Sequence, residues 1–230
     1  MAAVRNRVLG TLTIGQAPRR DVTPIIARHL PSGVRRIDRG VLDGLAPAEI
    51  ERRYRPEPGE PALVTRLQDG DVVELSRRRM QEGVQEALAG LERDGCEVIL
   101  LLCTGTFAGL RCERAWLVEP DRIIPGFVAG LVERRRLGVI VPIAGQIESE
   151  KDKWRGLARA PLFAAASPYT GAAAAVGDAG ADLKARGAEA ILLDCIGFTE
   201  SHRAALRPLG LPVILSNALA AKAVGELFAG

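Results

Sequence analysis

The chain has 230 residues, of which 47% are hydrophobic and 26% are charged, and its formal net charge is +3. This length allows one large domain or two small ones, and the hydrophobic content excludes an intrinsically disordered chain. Acidic and basic residues are interspersed along the sequence, so the mild basicity does not argue for a nucleic-acid partner.

The distribution of apolar residues, cysteines and histidines bears on location and on metal binding. No stretch approaches the roughly 18 apolar residues of a membrane span, and the first residues lack the long apolar region and cleavage site of a secretory peptide. The four cysteines form no C-x-x-C pair, and the two histidines are far apart in sequence. We therefore expect a cytoplasmic protein with reduced thiols and no metal site.

The first half of the chain is predicted to alternate strands with helices. A strong turn signal, Asp69–Gly70, lies between two β-rich runs and predicts a hairpin. Residues 108–121 are predicted to be irregular. In chain order the other predicted elements are strands at 8–14 and 34–38, helices at 21–30, 47–54 and 76–94, and an apolar strand that ends at Cys103.

The second half is predicted to repeat this order. The segment GCEVILLLCTGTF at 95–107 aligns without a gap with GAEAILLDCIGFT at 187–199, 92 positions later. The strand at 137–141 resembles the first strand in the same way. The further predictions are helices at 125–134, 147–157, 171–186, 200–206 and 217–228, and strands at 162–166 and 212–215.

This internal repeat predicts an α/β fold of two pseudosymmetric Rossmann-like or flavodoxin-like lobes, with parallel sheets and a central cleft. Residues 1–121 and 210–230 are assigned to lobe one, so that the last strand and helix complete it. Residues 122–209 are assigned to lobe two. The segment at about 40–76, which contains the hairpin, is interpreted as an insertion in lobe one.

Cys103 and Cys195 are the candidate catalytic residues, because each follows a buried strand at the edge where open α/β sheets bind ligands. Two thiols facing one substrate could act as base and acid on opposite faces of a carbon beside a carboxylate. A helix N-terminus or a nearby cation is expected to lower the thiol pKa and favour the thiolate. The alternative for each cysteine is a small buried hydrophobic residue.

Loops at the same strand ends supply the candidate substrate contacts, through backbone N–H groups, hydroxyls, amides and one guanidinium. Surface exposure of the arginine and turn roles for the glutamines remain open alternatives. Asp194 is interpreted as a buried hydrogen-bonded group, and His202 as a helix-surface residue. The candidate contacts are Gly15, Gln16, Arg19, Thr104, Gly105, Thr106, Gln146, Ser167, Tyr169, Gly197, Phe198 and Thr199.

Six short segments spread along the chain together resemble the AroM family: GQAPRRD at 15–21, SRR at 76–78, LVEP at 117–120, GVIVP at 138–142, LLDCIGF at 192–198 and LSN at 215–217. That family looks like a branch of the aspartate/glutamate racemase superfamily, which includes hydantoin racemase, maleate isomerase and arylmalonate decarboxylase. The resemblance implies two pseudosymmetric lobes, a cleft between them, a cysteine in each lobe and no cofactor.

The chain departs from the usual racemase pattern after both cysteines. Cys103 is followed by Thr104 where Asn-Thr is typical, and Cys195 by Ile196 where Thr-His is typical. Three functions are therefore kept: a racemase or isomerase with two-cysteine acid/base chemistry, a maleate-isomerase-like or decarboxylase-like enzyme with one nucleophilic cysteine, and a non-catalytic protein that binds small acids. The expected partner is a small-molecule carboxylate, without nucleic acid or membrane, and a homodimer is left open.

Overall fold

The computed structural model describes residues 7–171 and 173–229. Within them the strands are β1 (Val8–Thr13), β2 (Arg35–Gly40), β3 (Ala62–Arg66), β4 (Val72–Ser76), β5 (Val98–Leu102), β6 (Trp116–Val118), β7 (Leu137–Val141), β8 (Leu162–Ala165), β9 (Ala190–Leu193) and β10 (Val213–Leu215). The α-helices are α1 (Thr23–Ala27), α2 (Pro47–Tyr54), α3 (Arg77–Arg93), α4 (Pro120–Val132), α5 (Ile147–Glu150), α6 (Ala173–Ala185), α7 (Glu200–Ala205) and α8 (Ser216–Phe228). Short 3-10 turns lie at Ala144–Gln146, Lys151–Trp154 and Arg207–Leu209.

Two four-stranded parallel sheets form the lobes. Their strand orders are β2-β1-β5-β6 and β8-β7-β9-β10, so the second sheet repeats the first strand by strand. The central strands β5 and β7 are buried along their whole length, as expected for parallel strands covered on both faces. The predicted α/β fold with two lobes of parallel sheet is confirmed.

Helices cover both faces of the first sheet. Met80, Val84 and Leu88 of α3 cluster with β1 and β5 side chains such as Leu12 and Ile99 on one face. On the opposite face, residues of α1 and α8 cluster with Leu9, Val98 and Leu100. Alternate residues of β5 thus enter opposite cores, which is the period of two that a strand imposes.

The second sheet is covered in the same way. Val176 and Leu183 of α6 cluster with Ile191 on one face, whereas Ile124 and Val128 of α4 cluster with β7 and β9 side chains on the other. The helix after β6 therefore covers the second sheet, and the helix after β10 covers the first. Each lobe consequently supplies a helix to the core of the other.

The last strand is the main correction to the sequence analysis. β10 pairs in parallel with β9, with Val213 opposite Ile191, so it belongs to the second sheet and the prediction that it completes lobe one is wrong. Residues 116–118, predicted to be irregular, form β6 at the equivalent edge of the first sheet. β6 and β10 therefore occupy equivalent edges of the two sheets.

The predicted hairpin is confirmed as the antiparallel pair β3–β4. Its turn contains Gly70 at φ +102°, a left-handed backbone that favours glycine. The hairpin and α2 lie between β2 and α3, whereas only a short loop separates β8 from α6 in the second lobe. This difference is consistent with an insertion in lobe one.

Candidate active site

Both candidate cysteines line one cavity at the junction of the lobes. Cys103 directly follows β5, and Cys195 lies two residues after β9. Each cysteine is only 8% exposed. The cavity is also lined by Ile14, Arg19, Leu63, Val64, Thr65, Leu102, Thr104, Gly105, Pro142, Gln146, Glu150, Tyr169, Asp194 and Ile196.

The two thiols have matching backbone environments. The N–H of Gly105 donates to Cys103 Sγ at 3.3 Å, and the N–H of Gly197 donates to Cys195 Sγ at 3.4 Å. In both lobes the donor is thus the residue two positions after the cysteine. The sequence repeat therefore extends to the hydrogen bond that each sulfur accepts.

Burial makes both thiols weaker acids. It raises the pKa of Cys103 to about 12, although the Gly105 amide opposes the shift. Burial likewise raises the pKa of Cys195, against the opposing effects of the Gly197 amide, Tyr169 and Arg19. The expected lowering of the thiol pKa is therefore wrong for this closed conformation, because desolvation outweighs the nearby donors and cation. Both thiols are protonated at neutral pH.

The expected helix N-termini are also displaced from the sulfurs. Residues 103–115 contain no helix, and α7 begins only at Glu200, five residues after Cys195. Since the helix dipole acts over about one turn, neither sulfur has the helix terminus that the sequence analysis expected.

Tyr169 and Arg19 lie beside Cys195 and not beside Cys103. Tyr169 Oη is 3.8 Å from Cys195 Sγ, and Arg19 Nη2 is 3.4 Å from the same phenolic oxygen. Burial raises the pKa of Tyr169 well above its usual value, so the phenol stays protonated. Arg19 is itself held by Asp21 through two hydrogen bonds of 2.9 and 2.7 Å. The two halves of the site thus differ in their side chains although their backbones match.

Three further predicted residues line the cavity and also connect its walls. Thr104 Oγ1 donates to the carbonyl oxygen of Asp194 at 3.3 Å, which joins the two cysteine segments. Gln146 Nε2 donates to the carbonyl oxygen of Ala62 at 2.9 Å, which joins the second lobe to the hairpin. Gly105 lies under the hairpin, since a Cβ atom there would be 2.6 Å from Leu63.

Seven of the predicted contacts do not line the cavity. Gly15 and Gly197 provide close approach: a Cβ atom on Gly15 would be 2.4 Å from Thr65 Oγ1, and one on Gly197 would be 2.4 Å from Tyr169 Oη. Gln16 Oε1 accepts from the N–H of Gln68 in the hairpin turn at 2.9 Å. These residues therefore support side chains that do line the cavity.

The remaining four hold loops and cores. Thr106 is exposed and donates to Asp121, and Ser167 Oγ accepts from the N–H of Tyr169. Phe198 is fully buried in the core of the second lobe. Thr199 caps α7 together with His202, whose Nδ1 accepts from the Thr199 N–H at 2.9 Å. A position after a strand end is visible in the sequence, but which side chains face the cavity depends on the folded arrangement.

A group of buried charges, which includes the cavity-lining Glu150 and Asp194, was not predicted as a unit. Lys153 Nζ lies 2.7 Å from Asp194 Oδ2 and 3.1 Å from Glu150 Oε2, and it donates to the Thr104 carbonyl oxygen at 3.1 Å. Arg77 of the first lobe lies 3.3 Å from the other oxygen of Glu150. Lys153 thereby contacts the residue after Cys103 and the residue before Cys195.

The environment of Lys153 keeps it charged. Burial acts to lower its pKa, but the adjacent Asp194 and Glu150 carboxylates raise the pKa above its ordinary value. Asp194 is buried and lies 3.4 Å from the Ser216 hydroxyl, in agreement with its interpretation as a hydrogen-bonded group. The spacing of Glu150 and Lys153 on one helical turn was visible in the sequence, but such pairs are usually exposed.

Two side chains at the start of α8 fix the Cys195 loop. Ser216 Oγ donates to the Leu193 carbonyl oxygen at 2.8 Å. Asn217 Nδ2 donates to the carbonyl oxygens of Ile196 and Phe198 at 2.8 and 2.6 Å. Both residues belong to the LSN segment, which is the signal in the sequence that could have identified them.

The cavity is small in this conformation, with a volume of about 30 Å³. That volume suits a water molecule and is far below the 300 Å³ or more of ordinary ligand pockets. The side chains of Leu63, Val64 and Thr65 on the hairpin form one wall. In this conformation the cavity is therefore too small for a ligand of ordinary size.

The residues that the structure describes contain neither a metal-binding cluster nor a membrane-spanning helix. Among residues 7–171 and 173–229, histidine, cysteine, aspartate and glutamate side chains form no group of three suited to a metal ion. No helix in this part of the chain combines the length and apolar character needed to cross a membrane.

The family model described as AroM protein matches residues 9–228. The sequence matches none of the curated proteins.

Solved structures with the same fold include glutamate racemase from Francisella tularensis in complex with D-glutamate. Its TM-score is 0.62 at 14% identity, over 97% of this chain and 81% of that chain. Allantoin racemase from Klebsiella pneumoniae has a TM-score of 0.61 at 15% identity, over 96% and 87% of the two chains. Unliganded arylmalonate decarboxylase has a TM-score of 0.60 at 16% identity, over 97% and 93%. At these identities the similarity is one of fold.

Proposed function

The chain belongs to the AroM family, and we propose that it is a racemase or isomerase that acts on a small carboxylate between its two lobes. One observation carries this proposal: a thiol from each lobe lines the same cavity, and each sulfur accepts the same backbone hydrogen bond. The structural neighbours include two racemases, which supports this reaction class.

The proposed reaction removes a proton from one face of the substrate carbon and delivers another proton to the opposite face. A thiolate removes the proton beside the carboxylate and becomes a thiol, while the electron pair stays on the carbon as an enolate. The opposite thiol then donates its proton to the other face and becomes the thiolate. Atoms and electrons balance within the cysteine pair, so the cycle needs no cofactor.

Cys195 is the better candidate for the starting thiolate. The Tyr169 hydroxyl and the Arg19 guanidinium both act to lower its pKa, whereas Cys103 has a pKa of about 12 and lacks an adjacent phenol. Substrate binding must lower the thiol pKa further, and we propose that opening of the cavity restores part of the solvation that burial removes. Arg19 and Gln146 are the proposed contacts for the carboxylate.

A second function is favoured by the same asymmetry. If Cys195 alone is activated, it could attack covalently as in a maleate isomerase, or donate a proton as in a decarboxylase. The fold is shared with arylmalonate decarboxylase, which supports keeping this alternative. A protein that only binds small acids is the remaining non-catalytic possibility.

The test compares Cys103→Ser with Cys195→Ser. A thermal-shift screen of small carboxylates, hydantoins and aromatic-pathway acids first identifies a ligand, because a bound ligand raises the melting temperature. Proton NMR in heavy water then follows exchange at the substrate carbon for each stereoisomer. We expect both variants to lose interconversion and to retain exchange of opposite isomers, since each keeps the thiol of one face.

The other functions give different results. A covalent mechanism would leave one variant inactive and the other merely slow. A binding protein would keep its affinity in both variants and would show no turnover in the wild type. Equal and unselective exchange by both variants would exclude the two-face mechanism.

A further inference from the structure

The hairpin places one polar side chain in the wall of the cavity. Leu63, Val64 and Thr65 of β3 all line it, and the first two are apolar. Thr65 is 0% exposed. The insertion therefore closes the cavity mainly with apolar surface, and Thr65 is the one polar residue that it contributes to the wall.

The Thr65 hydroxyl is buried without a protein partner. Its Oγ1 forms no hydrogen bond with any residue that the structure describes. Burying a hydroxyl without a hydrogen bond costs stability, and most buried polar side chains in folded proteins are paired. A bound ligand could supply the missing hydrogen-bond partner of this hydroxyl and so remove that cost.

The fold is adapted to this side chain. Thr65 approaches Gly15, at the carboxyl end of β1, so closely that a Cβ atom on Gly15 would lie 2.4 Å from Oγ1 and 3.2 Å from Cγ2. The absence of a side chain at Gly15 thus makes room for Thr65. Gly15 was predicted to contact substrate. In the structure it makes room for the Thr65 side chain.

The position of the hairpin is set from both lobes. Gln68 in its turn donates hydrogen bonds to the loop after β1: its N–H donates to Gln16 Oε1, and its Nε2 donates to the Pro18 carbonyl oxygen at 2.8 Å. On the other side Gln146 holds the Ala62 carbonyl oxygen. Thr65 lies between these anchors, so its hydroxyl has a defined place relative to both cysteines.

The other polar groups of the cavity wall suggest what the hydroxyl meets. Arg19, Gln146 and Tyr169 supply hydrogen-bond donors, and the charges of Glu150 and Asp194 are balanced by Lys153 and Arg77 outside the wall. A carboxylate oxygen can accept from the threonine O–H in the same way as from the arginine.

We propose that the hydroxyl of Thr65 donates a hydrogen bond to the bound substrate, so that the inserted hairpin supplies a residue that determines specificity. The inference rests on the proposed function for the class of ligand, a small carboxylate. It adds a contact from outside the two repeated lobes.

The experiment measures binding of six acids, D- and L-aspartate, D- and L-glutamate, malonate and maleate, by calorimetry and thermal shift. Thr65→Val removes the hydroxyl with little change of shape, and Thr65→Ser keeps it. For each acid that binds the wild type, we expect Thr65→Val to weaken the affinity about tenfold or more and Thr65→Ser to stay within about threefold. Arg66→Ala, on the exposed side of the same strand, serves as the control and should bind as the wild type does.

The melting temperature of the free protein gives a second measurement. Because the hydroxyl is unpaired in the free protein, Thr65→Val should melt at the wild-type temperature or a few degrees above it. If Thr65→Val melts at a lower temperature than the wild type, and both Thr65→Val and Thr65→Ser bind weakly, Thr65 serves the fold. That result would overturn the inference.

The remaining outcomes separate this inference from the proposed function. Unchanged affinity in Thr65→Val would overturn the inference and leave the cysteine mechanism standing. Weaker binding in Thr65→Val, in a protein that exchanges no substrate proton, would support the inference and contradict the racemase function. A wild-type protein that binds none of the six acids would contradict the proposed substrate class and this inference with it.

Discussion

At the scale of single residues, two buried thiols line the cavity, and one buried lysine outside its wall joins their segments. Burial makes each cysteine a weaker acid, so under the proposed mechanism its reactivity depends on how substrate binding changes the thiol pKa. Lys153 ties the two cysteine segments together, through the Thr104 carbonyl oxygen on one side and the Asp194 carboxylate on the other. It is a positioning residue, because it does not line the cavity and acts through its neighbours.

Replacement of Lys153 by methionine should destabilise the protein strongly. The change leaves Asp194 and Glu150 buried with one cation fewer, and breaking a buried ion pair from one side costs about 3–5 kcal/mol. Urea unfolding at pH 7 measures the loss. The deficit should shrink as the pH falls, because burial raises the pKa of Glu150 and its protonation removes part of the uncompensated charge.

Lys151→Met is the matched control for this prediction. Lys151 is 51% exposed and pairs with the 84% exposed Glu148, so its removal should change the unfolding free energy by less than about 1 kcal/mol. Equal effects of the two substitutions would show that the Lys153 group is solvated in solution.

At the scale of elements, the hairpin is the part of the fold that the second lobe does not repeat. It closes the cavity, and two glutamines hold it: Gln16 of the first lobe and Gln146 of the second. Both glutamines were predicted to contact substrate, and both form hydrogen bonds with hairpin residues. Access to the cysteines is therefore coupled to the contacts of β3 and β4.

Gln146→Met should make the hairpin open more often. The substitution removes the hydrogen bond to Ala62, and a loss of about 1 kcal/mol corresponds to about fivefold faster exchange through local opening. Hydrogen exchange followed by mass spectrometry of peptides covering residues 62–76 tests this. Gln85→Met removes a similar bond to the Arg111 carbonyl oxygen, together with the bond that Gln85 Oε1 accepts from the Arg111 N–H, and should leave those peptides unchanged because both lie away from the hairpin. Unaltered exchange in Gln146→Met would show that the hydrogen bond to Ala62 does not hold the hairpin closed.

For the whole molecule, reciprocal packing of two helices joins the lobes. α4 follows the edge strand of the first sheet and covers the second, while α8 follows the edge strand of the second sheet and covers the first. α8 also carries Ser216 and Asn217, which hold the Cys195 loop. The seating of α8 on lobe one thus fixes a loop of lobe two.

Gly225→Ala should disturb this seating. A Cβ atom there would lie 2.3 Å from the His29 carbonyl oxygen, which is backbone and cannot rotate away. We expect a destabilisation of about 1–3 kcal/mol in urea unfolding, as for other overpacked contacts. Gly177→Ala in α6 meets only Ala205 O at 3.5 Å and should be neutral or stabilising by up to about 1 kcal/mol, as is usual for alanine in a helix. Similar effects of the two substitutions would contradict tight packing of α8.

Local patterns were sufficient to predict much of this fold. The apolar runs before Cys103 and Cys195 identified buried parallel strands, and their ungapped alignment identified two related lobes. Asp69–Gly70 identified the hairpin, because a tight hairpin turn needs a residue with left-handed backbone and glycine adopts it readily. The turn involves only four consecutive residues. Each of these features depends on neighbours in the sequence, so reading the sequence alone could find them.

Features that depend on distant residues were not predictable in this way. β10 pairs with β9 because the second sheet has an open edge there, and no property of three apolar residues specifies that edge. Lys153 and Thr65 are buried by segments far away in the chain, and the raised thiol pKa values follow from the same burial. Desolvation depends on how the lobes and the hairpin close over a side chain, so only the folded arrangement decides which polar groups are charged, paired or left for a ligand.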